Sequence, residues 1–211
     1  MEIFRLVYSP IEVNTYILAD QSGKCAVIDC GCYTGSEFDE FVQFIEDHKL
    51  EPVLLLNTHC HLDHIFGNRA FLQKYGIGTL CHKEDEINRI DSVSHALLFG
   101  LNMELPPEPV GFINDGQMIS FGSVELKALH VPGHSPGTIA FYSAKDDAVF
   151  TGDSLFAGNI GRSDLTGGNH EQLVKSIREK LLTLPADTVV YPGHGSSTTI
   201  DREIRNNPYL R

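Results

Sequence analysis

Hydrophobic and polar positions near the N-terminus fall into three short runs, Ile3–Tyr8, Asn14–Ala19 and Cys25–Asp29. Each is rich in β-branched and aromatic residues, and Ser9-Pro10 and Asp20–Gly23 separate them, so all three read as strands. The period then lengthens. Phe38, Phe41, Val42 and Ile45 recur at helical spacing with Phe44 widening the face, which predicts a helix over 37–48 capped by Ser36. After Pro52 the continuous run Val53–Leu56 is short enough for a buried strand. A polar loop at 57–64, a helix over 66–75 and a strand at 79–81 are expected next. Residues 84–101 read as helix on a weaker pattern, and 102–116, with Pro106, Pro107 and Pro109, as a surface loop.

The second half follows a similar plan without any repeat of fixed period. Met118–Phe121, Val124–Val131, Ile139–Ser143 and Ala148–Thr151 read as strands. Glu171–Leu184 is amphipathic, with Leu173, Ile177, Leu181 and Leu184 on one helical face. A strand at Val189–Tyr191 and a helix within 199–206 close the chain. Two groups of strands, each followed by helices, suggest two packed sheets with helices outside, a four-layer α/β sandwich.

Composition narrows the class. With 211 residues, 42% hydrophobic and 21% charged, the chain is expected to bury one core as a single domain over residues 1–211. A formal net charge of -12 argues against nucleic-acid binding, which rests on Lys and Arg neutralising phosphates. No apolar run approaches the ~18 residues of a membrane span, and Met1–Pro10 does not read as a secretory signal. The five cysteines, an odd number crowded into the first half, match neither a disulfide framework nor a paired zinc motif. Buried thiols in a reducing cytoplasm are expected.

The chemistry concentrates at strand ends. Thr58-His-Cys-His-Leu-Asp-His64 places His59, His61, Asp63 and His64 on a turn directly after a buried strand. Imidazole nitrogen and carboxylate oxygen suit zinc, and also iron or manganese. Three later strands end in further ligand types flanked by glycine: His134 in Pro132-Gly-His, Asp153 in Gly152-Asp-Ser154, and His194 in Pro192-Gly-His-Gly195. Seven candidates suffice for two metals if Asp153 bridges them. His48, His82, His95, His130 and His170 have no ligand-like setting.

His59-x-His61-x-Asp63-His64, followed by His134, Asp153 and His194, resembles the complete ligand set of the metallo-β-lactamase superfamily, and Val27-Ile-Asp29-Cys-Gly31 resembles its first motif. The resemblance implies an αββα sandwich and two divalent ions per chain, zinc foremost, with iron or manganese as alternatives. By the same resemblance His59, His61 and His134 hold the first ion, Asp63, His64 and His194 the second, and Asp153 bridges. Asp29 then supports ligand geometry, its plainer reading being a turn-forming residue. Asp63 is the candidate catalytic residue, orienting the nucleophile or taking its proton.

The loop Ser154–Gly168 is similar to that of the small glyoxalase II-like thioesterases. There Arg162 matches a basic residue that meets a substrate carboxylate; its plainer reading is an exposed loop arginine. Asp164 stands where the longer glyoxalase II enzymes carry a tyrosine, and their helical C-terminal domain has no counterpart before the chain ends at Arg211. The implied activity is hydrolysis of small thioesters such as S-lactoylglutathione. Alternatives are a persulfide dioxygenase with a single iron on His59, His134 and Asp153, and a metal-binding module without catalysis.

Overall fold

In the computed structural model, which describes residues 1–211, the N-terminal runs form an antiparallel meander. Strands β1 (Glu2–Tyr8), β2 (Val13–Ala19) and β3 (Lys24–Ile28) pair in register, with Ile3 opposite Leu18 and Ile17 opposite Val27. Helix α1 (Gly35–Asp47) then crosses over to β4 (Glu51–Leu56), which lies parallel to β3. Thr34, and not Ser36, caps this helix. The Thr34 hydroxyl accepts the Glu37 N–H at 3.2 Å while the Glu37 carboxylate accepts the N–H groups of Thr34 and Tyr33, at 2.9 and 2.7 Å. The reciprocal box satisfies more orphan donors than a serine two residues further in can.

Past β4 the expected loop contains a helical turn, α2 (Leu62–Ile65), and the helix expected from 66 starts after Gly67 as α3 (Asn68–Tyr75). Strand β5 (Thr79–Cys81) leads through a 3-10 turn at Lys83–Asp85 into α4 (Glu86–Leu98). Segment 102–116 is not wholly loop. Its β6 (Gly111–Phe112) pairs with β5, the Ile113 N–H donating to the Cys81 carbonyl at 2.8 Å, and closes a six-stranded sheet ordered β1 to β6. A two-residue strand leaves no periodic signal to read.

The second sheet is built to a related plan. Strands β7 (Met118–Phe121), β8 (Val124–His130), β9 (Ile139–Ser143) and β10 (Ala148–Gly152) form an antiparallel meander. A small hairpin, β11 (Leu155–Phe156) with β12 (Asn159–Ile160), follows. Helix α5 (His170–Ser176), capped by Asn169, is shorter than the expected 171–184 and continues as a π-helical turn over Ile177–Leu181. It crosses over to β13 (Val189–Pro192), parallel to β10, and β14 (Thr198–Thr199) and α6 (Ile200–Asn206) finish the sheet, ordered β14-β13-β10-β9-β8-β7.

The sheets pack face to face on Tyr16, Leu56, Leu126, Phe141 and Phe150. Phe41 and Phe71 seal α1 and α3 onto the first sheet, and Leu173, Ile177 and Ile200 seal α5, its π-helical continuation and α6 onto the second. Each such side chain removed from water contributes about 1.5–3 kcal/mol before the entropy cost of ordering it. Strand β2 is buried on both faces, Tyr16 and Leu18 toward the opposite sheet and Ile17 and Ala19 toward α1, which is the four-layer α/β sandwich expressed within one strand. The five cysteines are buried and free.

Candidate metal centre

The candidate ligands leave the C-terminal ends of four strands: 59–64 after β4, His134 after β8, Asp153 after β10 and His194 after β13. The first group depends on Asp29, which follows β3 with a left-handed φ of 56°. Such a backbone is costly for a non-glycine residue and persists where surrounding bonds over-determine it. Here the buried Asp29 carboxylate accepts the Thr58 N–H at 2.8 Å, the Thr58 hydroxyl at 2.6 Å and the His64 Nδ1–H at 2.8 Å. Asp29 therefore reaches a candidate ligand directly and does more than turn the chain.

With its proton given to Asp29, the Thr58 hydroxyl accepts from His59 Nδ1 at 3.1 Å. His134 Nδ1 donates to the Arg162 carbonyl at 2.7 Å, and His194 Nδ1 to the Glu12 carbonyl at 3.1 Å. Carbonyls and carboxylates only accept, so these contacts put the proton on Nδ1 of His59, His64, His134 and His194. Once these rings are neutral, each Nε2 faces the site as a lone pair, the arrangement metal-ligating histidines take. His61 faces the site through Nδ1 instead, 2.9 Å from His134 Nε2.

The structure brings all seven candidates together. His59, His61 and His134 converge as one group able to hold an ion, Asp63, His64 and His194 as another, and Asp153 joins His59 and His64 in a third combination between them. His134 Nε2 lies 3.2 Å from His59 Nε2, and His194 Nε2 lies 3.0 Å from Asp63 Oδ2. Asp153 faces both sides, with Oδ1 3.4 Å from His64 Nε2 and Oδ2 3.7 Å from His134 Nε2. His64 Nε2 and Asp153 Oδ1 are buried without hydrogen-bond partners, which a cation between them would satisfy. Gly193 makes room for this meeting, since a Cβ there would overlap the Asp153 carboxylate and the His64 ring. Cys60, between two candidates, turns away to pack against Ile65 and Cys81.

The two sides differ in charge. Burial pushes the His61 imidazole down to about 3, with His134 adding to the effect, and burial likewise holds His59 well below its ordinary value. Burial would also depress His64, but the Asp63, Asp29 and Asp153 carboxylates outweigh it and hold that imidazole well above normal. His194 is raised against burial chiefly by its hydrogen bond to Asp63. His59 and His61 thus keep free lone pairs at neutral pH, and the acid-rich side draws positive charge.

Arg162 stands beside this centre in a cleft of about 490 Å³ lined also by His134, Asp153, Phe156, His170 and Tyr209. Its guanidinium fork makes two bonds of 2.8 Å to Asp164 within the same loop. A second gathering escaped the sequence: His82, Glu84 and His130 lie together at the seam between the sheets. Neither histidine has a ligand-like neighbourhood along the chain, and only the meeting of the β5 and β8 ends joins them.

The fold is that of the metallo-β-lactamase superfamily, whose family model matches residues 8–194; the chain belongs to that superfamily. It is 35% identical over 212 residues to the hydroxyacylglutathione hydrolase GloC of Haemophilus influenzae, covering 100% of this chain and 98% of the relative. It is 36% identical over 208 residues to the probable metallo-hydrolase YqgX of Bacillus subtilis, covering 98% and 96%. The crystal structure of TTHA1623 in a di-iron-bound form superposes with a TM-score of 0.89 at 34% identity, over 98% of this chain and 100% of that one. Family, metal-capable site and relatives together define a metallo-hydrolase. No helix is long and apolar enough to cross a membrane.

Proposed function

We propose that this protein hydrolyses small thioesters of the S-lactoylglutathione type, using two divalent ions, zinc foremost. The carrying observation is that the seven side chains sort into two complete three-residue groups with Asp153 facing both. His59, His61 and His134 would hold one ion and Asp63, His64 and His194 the other, Asp153 bridging. When bound, such a pair lowers the pKa of water between them and polarises a carbonyl. Asp63, whose Oδ2 lies 3.0 Å from His194 Nε2, orients the attacking water and takes its proton. Asp29 holds His64 and, through Thr58, His59 in their ligating tautomers. Arg162, in the wall of the cleft, receives a substrate carboxylate. The GloC relative supports the thioester class.

A single-iron persulfide dioxygenase would use His59, His134 and Asp153 and leave the convergence of Asp63, His64 and His194 without a task. That complete second group weighs for the hydrolase. The test is a parallel assay of metal-defined protein against glutathione thioesters, a lactone, a β-lactam and glutathione persulfide. Thioester turnover with two ions per chain is expected. Oxygen uptake with the persulfide, one iron per chain and no thioester turnover would overturn the assignment.

A further inference from the structure

His82 follows β5 in the first sheet, Glu84 stands in the 3-10 turn after it, and His130 ends β8 in the second sheet. The two imidazoles stack 4.2 Å apart with 18° between their planes. One donor atom from each of the three residues lies within 4.8 Å of the others. Both rings are partly buried and Glu84 is exposed, so the group opens to solvent on one side. We propose that His82, Glu84 and His130 form a further cation site, suited to zinc, that clamps the two sheets together beside the catalytic centre.

Two imidazoles and a carboxylate are a zinc donor set, and the open side admits water as a fourth ligand. His130 is already prepared. Its Nε2–H donates to the Pro136 carbonyl at 2.8 Å, which leaves Nδ1 bare. His82 Nδ1 accepts the Glu84 N–H at a long 3.3 Å, a weak bond to exchange for an ion. Burial, and then His130, lowers the pKa of His82, so its ring is neutral at physiological pH. Because the rings are nearly parallel, their in-plane lone pairs run side by side. Entry of an ion turns one ring about its Cβ–Cγ bond, a torsion with a broad, soft potential. The Asp115 carboxylate, itself paired with Lys180, accepts the His130 backbone N–H at 2.9 Å and fixes the end of β8.

The placement gives the clamp a consequence. Asp85, next to Glu84 and fully buried, accepts the Cys60 N–H and, at 3.0 Å, the Gly137 N–H. Cys60 sits between His59 and His61, and Gly137 lies in the loop that carries His134. Both ligand loops therefore rest on the turn at 83–85. An ion joining His82 to His130 fixes that platform from the outside, touching none of the seven side chains of the centre.

The experiment titrates zinc into protein already loaded at the His59–His194 centre and freed of excess metal, read by calorimetry and native mass spectrometry. One additional equivalent is expected in the wild type, with a rise in melting temperature on adding it. His82→Ala and His130→Ala should each lose that equivalent, while His95→Ala should keep it. Glu84→Gln changes an exposed side chain and preserves the fold, and it should weaken the additional equivalent while leaving the original metal content intact. Cobalt(II) absorption gives a second readout, a band set present in the loaded wild type and absent from His130→Ala. Absence of the additional equivalent in the wild type, or its survival at full affinity in the His82, Glu84 and His130 variants, overturns the proposal.

Discussion

The first half of the molecule delivers His59, His61, Asp63 and His64 from one loop, whereas the second half delivers His134, Asp153 and His194 from three separate strand ends. The single loop is braced within its own half, by Asp29 on Thr58 and His64 and by Asp85 on Cys60. Of the dispersed trio, His134 is held within its own half by the Arg162 carbonyl, whereas His194 is braced from the other half. Glu12 holds His194, and Asn14, Tyr16 and Arg5 grip the carbonyls of Pro192 and Gly195 from the first sheet. Two ways of positioning a side chain thus meet in one site. A contiguous loop is set by local bonds and is exposed to any single break in them, while scattered ligands depend on the docking of the two sheets.

The two halves meet most directly at Asp63, where one residue of the contiguous loop faces the dispersed His194. Asp63→Asn removes the proton acceptor and one ligand while sparing the three-histidine group. Turnover is expected to fall by about 10²–10⁴, with metal analysis showing retention of the first ion. Wild-type turnover in this variant would remove Asp63 from the chemistry. Asp29→Asn comes next, because it weakens the anchor of His64 without touching an ion. Metal affinity at the Asp63, His64 and His194 group should drop by about 10–100-fold, more than at the three-histidine group. Equal loss at both groups would mean that the loop yields as one body, and no loss at either would reduce Asp29 to a turn former.

Acid should separate the same two groups. A ligating imidazole must be deprotonated. His64 and His194 have raised pKa values, so protons already compete there near neutrality and metal affinity falls as the pH is lowered. His61, pushed down to about 3, and His59 keep their lone pairs through that range. Stepwise dialysis from pH 8 to pH 5 is expected to release the ion of the acid-rich group first, its affinity falling about tenfold per pH unit for each proton rebound. Simultaneous release of both ions at one pH would show that the bridge through Asp153 overrides the difference.

Most of this architecture was legible because it is periodic or contiguous. The alternation of β1 to β3, the helical face of α1 and the run His59–His64 all carry their signal within a few residues. What escaped lacks such a signal. The two-residue β6 exists only because β5 offers an edge, and the cap at Thr34 was hidden by Ser36 until Glu37 was seen to reach back. The π-helical turn at Ile177–Leu181 leaves Leu173, Ile177 and Leu181 buried, so the hydrophobic pattern cannot report it. Asp29 was legible as a motif residue, yet only the fold decides between bracing His64 and turning the chain. His82 follows a strand of one sheet and His130 ends a strand of the other, and nothing in either neighbourhood announces its partner.

The smallest expected effect concerns Arg162, in the loop that follows Asp153. Its fork is already filled by Asp164, and that hydrogen bond holds the Asp164 carboxyl down at about 2, so the pair is intact across physiological pH. Both side chains are more than half exposed, at 54% and 68%, which makes the pair cheap to open. A substrate carboxylate must displace Asp164 to reach Arg162, and what it gains is the difference between two similar ion pairs. Arg162→Ala should therefore raise KM for carboxylate-bearing thioesters only a few-fold, with kcat little changed, and raise it less for neutral ones. Asp164→Asn should act in the opposite sense, lowering KM for the carboxylate-bearing class by freeing the fork. Added salt should narrow both differences, because exposed charges are screened. If neither variant separates the two substrate classes, the fork lies outside the bound substrate, and recognition rests on the centre and the remaining wall of the cleft, Phe156, His170 and Tyr209.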